Sequence, residues 1–336
     1  GNKKMSLIQR ENHVGMIKGS EWGTAVTPTA GVYVKGHTPP KGARKVITNE
    51  DEFGRGMASS AELLEFEGQS GSMSLRVYSE GLEGIIDSLM GDYTHATDTG
   101  FNKHTFKLNT GMGSKFHTIA WDEGDEVKAV NSARIVSGNF SYADGLNLDI
   151  NYLGDKVSIT GWNNFENTLT YPSKGKNIFK LSDAEVLINA EGGAALASGD
   201  ALNPSGIDIA ITRGFEALAV TAGKETITEP IEKTAPVVEV TLTFPKKETT
   251  TAGYFAAFNN REFKKMQISF SVKDSDHKLT FNFPRVFLAE APDFAQDTPV
   301  PTTLKLKALV SDLGAAPTGM DALVPYIELQ NDGATL

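Results

Sequence analysis

Short runs in which apolar residues take every second position recur along this chain, and that period of two is what most limits its possible folds. Leu146, Leu148 and Ile150 alternate with Asn147, Asp149 and Asn151. Ile207, Ile209 and Ile211 repeat the pattern, as do Val238, Val240, Leu242 and Phe244, and then Leu304, Leu306, Ala308 and Val310. A strand with one buried and one wet face has this period; a helix would space its apolar residues three and four apart. Clusters of Gly, Pro, Asn, Asp and Ser separate the runs. The chain therefore reads as mainly β.

Residues 59–91 add the one clear helix. Leu64 and Phe66 alternate with Glu65 and Glu67, Gly68-Gln69-Ser70-Gly71 reads as a turn, and Met73, Leu75 and Val77 share one face of a return strand. Leu82, Ile85, Ile86, Leu89 and Met90 then fall on one helical stripe, with Ser79 placed to cap its start and Gly91 to stop it. The expectation is a hairpin covered by a helix.

In chain order, residues 1–31 read as an arm or loop. Prolines 39 and 40 forbid a central strand near Thr38, and Glu50, Asp51, Glu52, Phe53 and Arg55 lie in a charged loop of the kind that orders on a partner. Strands are expected at 105–108 and 116–121 around the turn Asn109-Thr110-Gly111-Met112-Gly113, then at 127–136, 140–142, 146–151 and 156–160. Residues 162–178 form a linker. The second half brings strands at 184–188, 207–211 and 238–244, a short helix at 251–258, and strands at 266–272, 279–283 and 304–310. Strand, helix, strand, turn, strand thus occurs at 73–121 and again at 238–288, which suggests a duplicated unit: 32–161 and 179–311, with 312–336 as an extension ending in Tyr326-Ile327-Glu328-Leu329-Gln330-Asn331. That last segment is expected to add as an edge strand, within its own subunit or on a neighbour.

Composition closes off several chemistries. Among 336 residues there is no cysteine, which excludes disulfides, thiolate catalysis and cysteine-held metal. No apolar run approaches the roughly 20 residues of a membrane helix, so no membrane partner is expected, and the segment before Met5, a candidate natural start, lacks a signal-peptide core. With 42 acidic against 32 basic residues the formal charge is −10, which argues against tight grip on nucleic acid phosphates while leaving room for a wall that lets DNA slide.

No constellation of residues reads as a reaction centre, and no cofactor is called for. The six histidines have no metal spacing, although His104 and His117 could meet across a hairpin; Asp274-Ser275-Asp276-His277 lacks the glycine and distal glutamate of a calcium loop. Gly111-Met112-Gly113-Ser114-Lys115 sits between strands, with no helix start to hold an anion, and Ser70 is not in a nucleophile elbow. Pairs such as Glu65 with Glu67, or Asp122 with Glu126, read as solvated strand faces. An enzyme is not expected.

The order of these parts resembles the tail tube (major tail) proteins of long-tailed bacteriophages. The likeness covers most of the chain. It rests on Glu21-Trp22-Gly23-Thr24 before a proline-bearing loop, on the acidic strand, glycine turn, strand and helix from 59 to Leu89-Met90-Gly91, and on the terminal Tyr326-Ile327-Glu328-Leu329-Gln330-Asn331. The resemblance implies two related β-sandwich or split-barrel domains of tube type, each with a short flanking helix. It further implies a structural virion protein, made in the host cytoplasm, whose rings stack into a hollow tube for DNA ejection. Two such domains per chain would make the ring a trimer of pseudo-sixfold symmetry; a single domain would call for a hexamer. Other partners implied are the tape measure, terminator and distal tail proteins, and DNA in transit without tight binding. On this reading Glu62, Glu65 and Glu67 line the lumen, the loop of Glu50, Asp51, Glu52, Phe53 and Arg55 contacts the next ring, and Tyr326, Ile327, Glu328 and Leu329 bind a neighbour.

Two rival readings stand beside it. One is another β-rich surface or receptor-binding module, such as a baseplate, pilus or adhesion protein. The other is a hydrolase on a β scaffold, which would depend on Asp122 or His117.

Overall fold

The computed structural model describes residues 13–40, 44–48, 61–66, 68–111, 113, 115–124, 126–142, 145–172, 178–216, 226–245, 254, 256–291 and 302–333. The expected alternation becomes strands throughout. β1 (Val14–Lys18), β2 (Ala30–Val32), β3 (Val34–Thr38), β4 (Arg44–Thr48) and β5 (Ala61–Phe66) precede β6 (Gln69–Arg76). Helix α1 (Glu83–Met90) leads into the hairpin of β7 (Gly91–Asp98) and β8 (Phe101–Leu108), then β9 (His117–Asp122), the long β10 (Val127–Tyr142), β11 (Leu146–Gly154) and β12 (Val157–Thr160). After the short α2 (Phe165–Thr168) come β13 (Ala184–Ala190), β14 (Ala201–Leu202), β15 (Gly206–Glu216), β16 (Ile231–Phe244), β17 (Lys264–Ser271), β18 (Lys278–Leu288), β19 (Thr302–Leu309) and β20 (Tyr326–Asn331). Between β16 and β17, Tyr254 and residues 256–259 are helical.

All of these strands except β4 and β5 join one continuous antiparallel network. Its spine runs across both halves of the chain in the order β3, β6, β11, β10, β15, β16, β19. A single row of paired residues crosses it: Leu75, Leu148, Phe140, Ile209, Val240 and Leu306, each 2% exposed or less. Every member faces the core. The neighbouring row, Ser74, Asp149, Asn139, Ala210, Glu239 and Lys307, faces the other way, as the period of two requires.

α1 lies on the buried face. Ile85, Ile86, Leu89 and Met90 are at most 2% exposed, and Leu89 packs so closely on Gly138 of β10 that a β-carbon there would sit 2.7 Å from Cδ2. Gly91 takes the left-handed stop expected of it, at φ 102°. Ser79 does not cap the helix, whose N-cap is Leu82 with no side-chain cap; its hydroxyl instead meets His277. The last carbonyls of α1 are capped from the second half of the chain, by Arg213 Nη1 on β15, which donates to Leu89 O (3.2 Å) and Met90 O (3.4 Å).

Several expectations require correction. β5 and β6 are not a hairpin: β5 pairs with β4, while β6 pairs with β3 and β11. Gly71 is therefore inside a strand, where a β-carbon would fall 2.3 Å from the Tyr152 hydroxyl. What the glycine provides is room for that ring. β8 and β9 are likewise unpaired with each other; β8 joins β7 and β20, and β9 joins β1 and β10. The described part of the expected N-terminal arm is built in, with β1 between β9 and β2, and Trp22 Nε1 donating to Ile227 O at 3.0 Å. Prolines 236 and 284, which lie within strands, fall at register irregularities, where a missing N–H costs no ladder bond.

A strand, helix, hairpin order occurs as β6, α1, β7 and β8, and as β16, the helical residues 254 and 256–259, β17 and β18, but the first hairpin is β7 with β8, formed by an unexpected strand at Gly91–Asp98 in place of the expected 105–121 pair. Two ladders join the halves: β10 pairs with β15, and β20 lies between β8 and β18.

Candidate functional site

The wet face of the spine is a surface built jointly by both halves, since β10 pairs with β15. Small neutral polar residues dominate it: Ser72, Ser74, Ser137, Asn139, Ser141, Asn147, Asn151, Thr212 and Thr241. Hydrogen bonds within the face hold these side chains. Asp149 accepts from Ser74 Oγ, Asn151 Nδ2 donates to Ser137 Oγ at 2.9 Å, and Asn139 Nδ2 donates to Asp208 Oδ2 at 3.1 Å. Its acids, Asp149, Asp208 and Glu239, stand on the central strands β11, β15 and β16. Its bases stand toward the two margins: Lys35 on β3 and Arg76 on β6 at one, Lys305 and Lys307 on β19 at the other. Lys35 Nζ donates to Asn147 Oδ1 at 2.9 Å, and Lys305 pairs with Glu290 at 2.9 Å. Chemically this is a hydrated, weakly acidic strip with basic borders; it has no convergent nucleophile and base.

The residues singled out from sequence lie elsewhere. Glu62 and Glu65 are on β5, in the two-stranded sheet with β4, so they are not on the spine; Glu67 lies outside the described residues. Glu50, Asp51, Glu52, Phe53 and Arg55 also lie outside them, in the segment that connects β4 to β5. Tyr326, Ile327, Glu328 and Leu329 are on β20, which is not an edge strand. Its two edges are taken within the chain, Tyr326–Asn331 by β8 and Tyr326–Gln330 by β18. A strand with both edges filled cannot add to a neighbour's sheet through its backbone.

β20 is anchored by a buried polar network. Asn331, fully buried, accepts at Oδ1 from His104 Nε2 and the Gly333 N–H, both at 3.0 Å; its Nδ2 donates to Ser79 O and Glu83 Oε1, both at 2.6 Å. His104 Nδ1 meets Tyr93 Oη at 3.0 Å. His117 pairs with Ser88 Oγ at 3.1 Å, so the two histidines do not share a site. Burial lowers the His117 pKa to about 3, and that of His37, beside Tyr152 and Trp121, to about 4. Both are neutral structural groups near pH 7. Asp122 accepts from the Gly124 N–H at 2.6 Å, a turn bond.

Sequence reasoning missed the spine's wet face because each Ser, Thr or Asn on it is an ordinary polar strand residue; the pairing of β10 with β15 makes it one surface. Neither the protein-family models nor the curated proteins compared with this chain give a match.

Proposed function

We propose that the chain is a structural subunit that assembles with copies of itself into stacked rings, forming a hollow phage tail tube that DNA traverses. The observation that carries the reading is the spine: seven strands spanning both halves, with a buried apolar row across six of them, β6 to β19, and an opposite face that is polar and dominated by small side chains. β3 pairs only with β6 among the described residues, and β19, whose outer edge β18 and Ala289 cover from Lys305 to Leu309, keeps only Thr302–Leu304 uncovered there, so each margin leaves a short edge for a neighbouring copy.

Strand geometry favours the trimer. Three copies bring about 21 strands, which at ~4.8 Å spacing and ~40° tilt close a cylinder about 40 Å across its backbone. Side chains take about 10 Å of that, and the remaining ~30 Å admits one DNA duplex. Six copies would double the diameter. In this arrangement the two halves act as two tube-type domains, and Asp149, Asp208 and Glu239 take the lumen role first expected of Glu62, Glu65 and Glu67. The segment between β4 and β5 remains the proposed contact to the next ring. Tape measure, terminator and distal tail proteins are the proposed further partners, and the virion the proposed location.

Electron microscopy of the concentrated protein tests this. Rings or tubes with an axial channel and threefold symmetry are expected; a monodisperse monomer at every salt and protein concentration would overturn it.

A further inference from the structure

Three segments distant in sequence meet where β20 ends. Glu80 precedes α1, His277 closes the turn between β17 and β18, and Asp332 follows the last residue of β20. One ligand atom from each, two carboxylate oxygens and an imidazole nitrogen, lies within 4.8 Å of both others. The turn that presents His277 is well fixed: Val272 N–H donates to His277 O at 2.9 Å, His277 N–H donates to Ser275 Oγ at 3.2 Å, and Asp274 takes a left-handed φ of 61°.

The ring of His277 is buried and held from behind. Its Nδ1 lies 2.7 Å from Ser79 Oγ, and its Nε2 lies 3.2 Å from Asp332 Oδ2. In the tautomer that donates Nδ1–H to the serine, Nε2 carries the lone pair and faces the Asp332 carboxylate. A metal-binding histidine has this second-shell arrangement, the far nitrogen tied so that the near one points at the ion. Ligands about 2.1 Å from one tetrahedral ion lie about 3.4 Å apart, close to the His277–Asp332 spacing. Asp332 is exposed, so a fourth position is open to water.

We propose that Glu80, His277 and Asp332 form a binding site for one divalent first-row transition ion, of which zinc is the natural probe. The imidazole nitrogen argues for such an ion over calcium or magnesium, which take oxygen ligands. A bound ion staples the entry to α1, the β17–β18 turn and the end of β20, joining both halves to the C-terminal strand. This inference rests on local geometry and is independent of the tail tube reading.

The test is calorimetric titration of the full chain with zinc chloride at neutral pH, with thermal melting in parallel. One saturable site per chain is expected. The melting temperature should rise by about 4 °C when zinc exceeds its Kd about a hundredfold, and chelator should reverse the shift. Asp332→Asn, at an exposed position that does not threaten folding, should weaken zinc binding at least about tenfold, whereas Asp276→Asn in the same turn should not. Absence of saturable binding at millimolar zinc, or binding unchanged by Asp332→Asn, would overturn the site.

Discussion

Replacing Asn331 by alanine should be among the most damaging single changes in this protein. The side chain makes three buried hydrogen bonds, to His104, Ser79 and Glu83, and a half-buried one from Gly333, and so links β8, the entry to α1 and the chain beyond β20. Each partner left unsatisfied in the interior costs about 1–3 kcal/mol, and water entering the small void recovers part of it, so a loss of about 3–5 kcal/mol is expected. At about 1.4 °C per kcal/mol for a chain of this size, the melting temperature should fall by about 4–7 °C. Asn331→Asp sharpens the test because it keeps the shape while exchanging the two-proton donor for an acceptor. The new carboxylate faces Ser79 O and the Glu83 carboxylate, so at neutral pH this variant should be no more stable than the alanine one. It should regain stability relative to wild type as acid supplies a proton to share. Calorimetric melts at pH 5 and 7.5 read both effects. A loss under about 1 kcal/mol for Asn331→Ala, or an Asn331→Asp protein as stable as wild type at pH 7.5, would refute the reasoning.

Further outcomes follow from the same geometry. Gly71→Val drives a branched side chain into the Tyr152 ring and should cost about 2–4 kcal/mol, measured by urea unfolding; a neutral result would mean that β6 can shift away. His117, with its folded pKa lowered to about 3 against 6.5 unfolded, binds a proton only when the chain unfolds across that window. Its contribution is present above pH 6.5 and is lost as pH falls toward 3, by up to about 1.4 kcal/mol per pH unit. His117→Asn should flatten the stability curve below pH 6.5 relative to wild type, and an unchanged slope would remove His117 as its cause. Reversing Asp149, Asp208 and Glu239 together to lysine removes the Ser74 and Asn139 hydrogen bonds and sets a cation opposite Lys307, so the melting temperature of the monomer should fall by a few degrees, while assembled tubes gain a salt-sensitive affinity for DNA in filter binding. Tubes that still ignore DNA would place this face away from the channel.

Much of the secondary structure was legible in the sequence because a half-buried strand records its environment at a period of two. The stripes of β11, β15 and β16 take the faces that the alternation predicts, that of β19 does so through Ala308 while Val310, just past the strand, is exposed, and the apolar stripe of α1 is buried as its spacing requires. Strand partners were not legible. β5 and β6 are adjacent in sequence and belong to different sheets, whereas β20 pairs with β8 more than two hundred residues away. Glycine and polar residues were ambiguous for a related reason. Gly71 reads as a turn and is a space for a ring; Arg213 and Asn331 are buried, their polar groups met by partners from distant segments.

The sequence alone therefore determined the class of structure: a β-rich chain without cysteine chemistry, with one strong helix. Only the tertiary structure decided that the halves share one sheet, that the C-terminal strand is internal, and which polar residues form a common face. The physical reason is that exposure is encoded locally, residue by residue, while hydrogen-bond pairing between strands is set by packing among segments whose backbones all offer the same donors and acceptors.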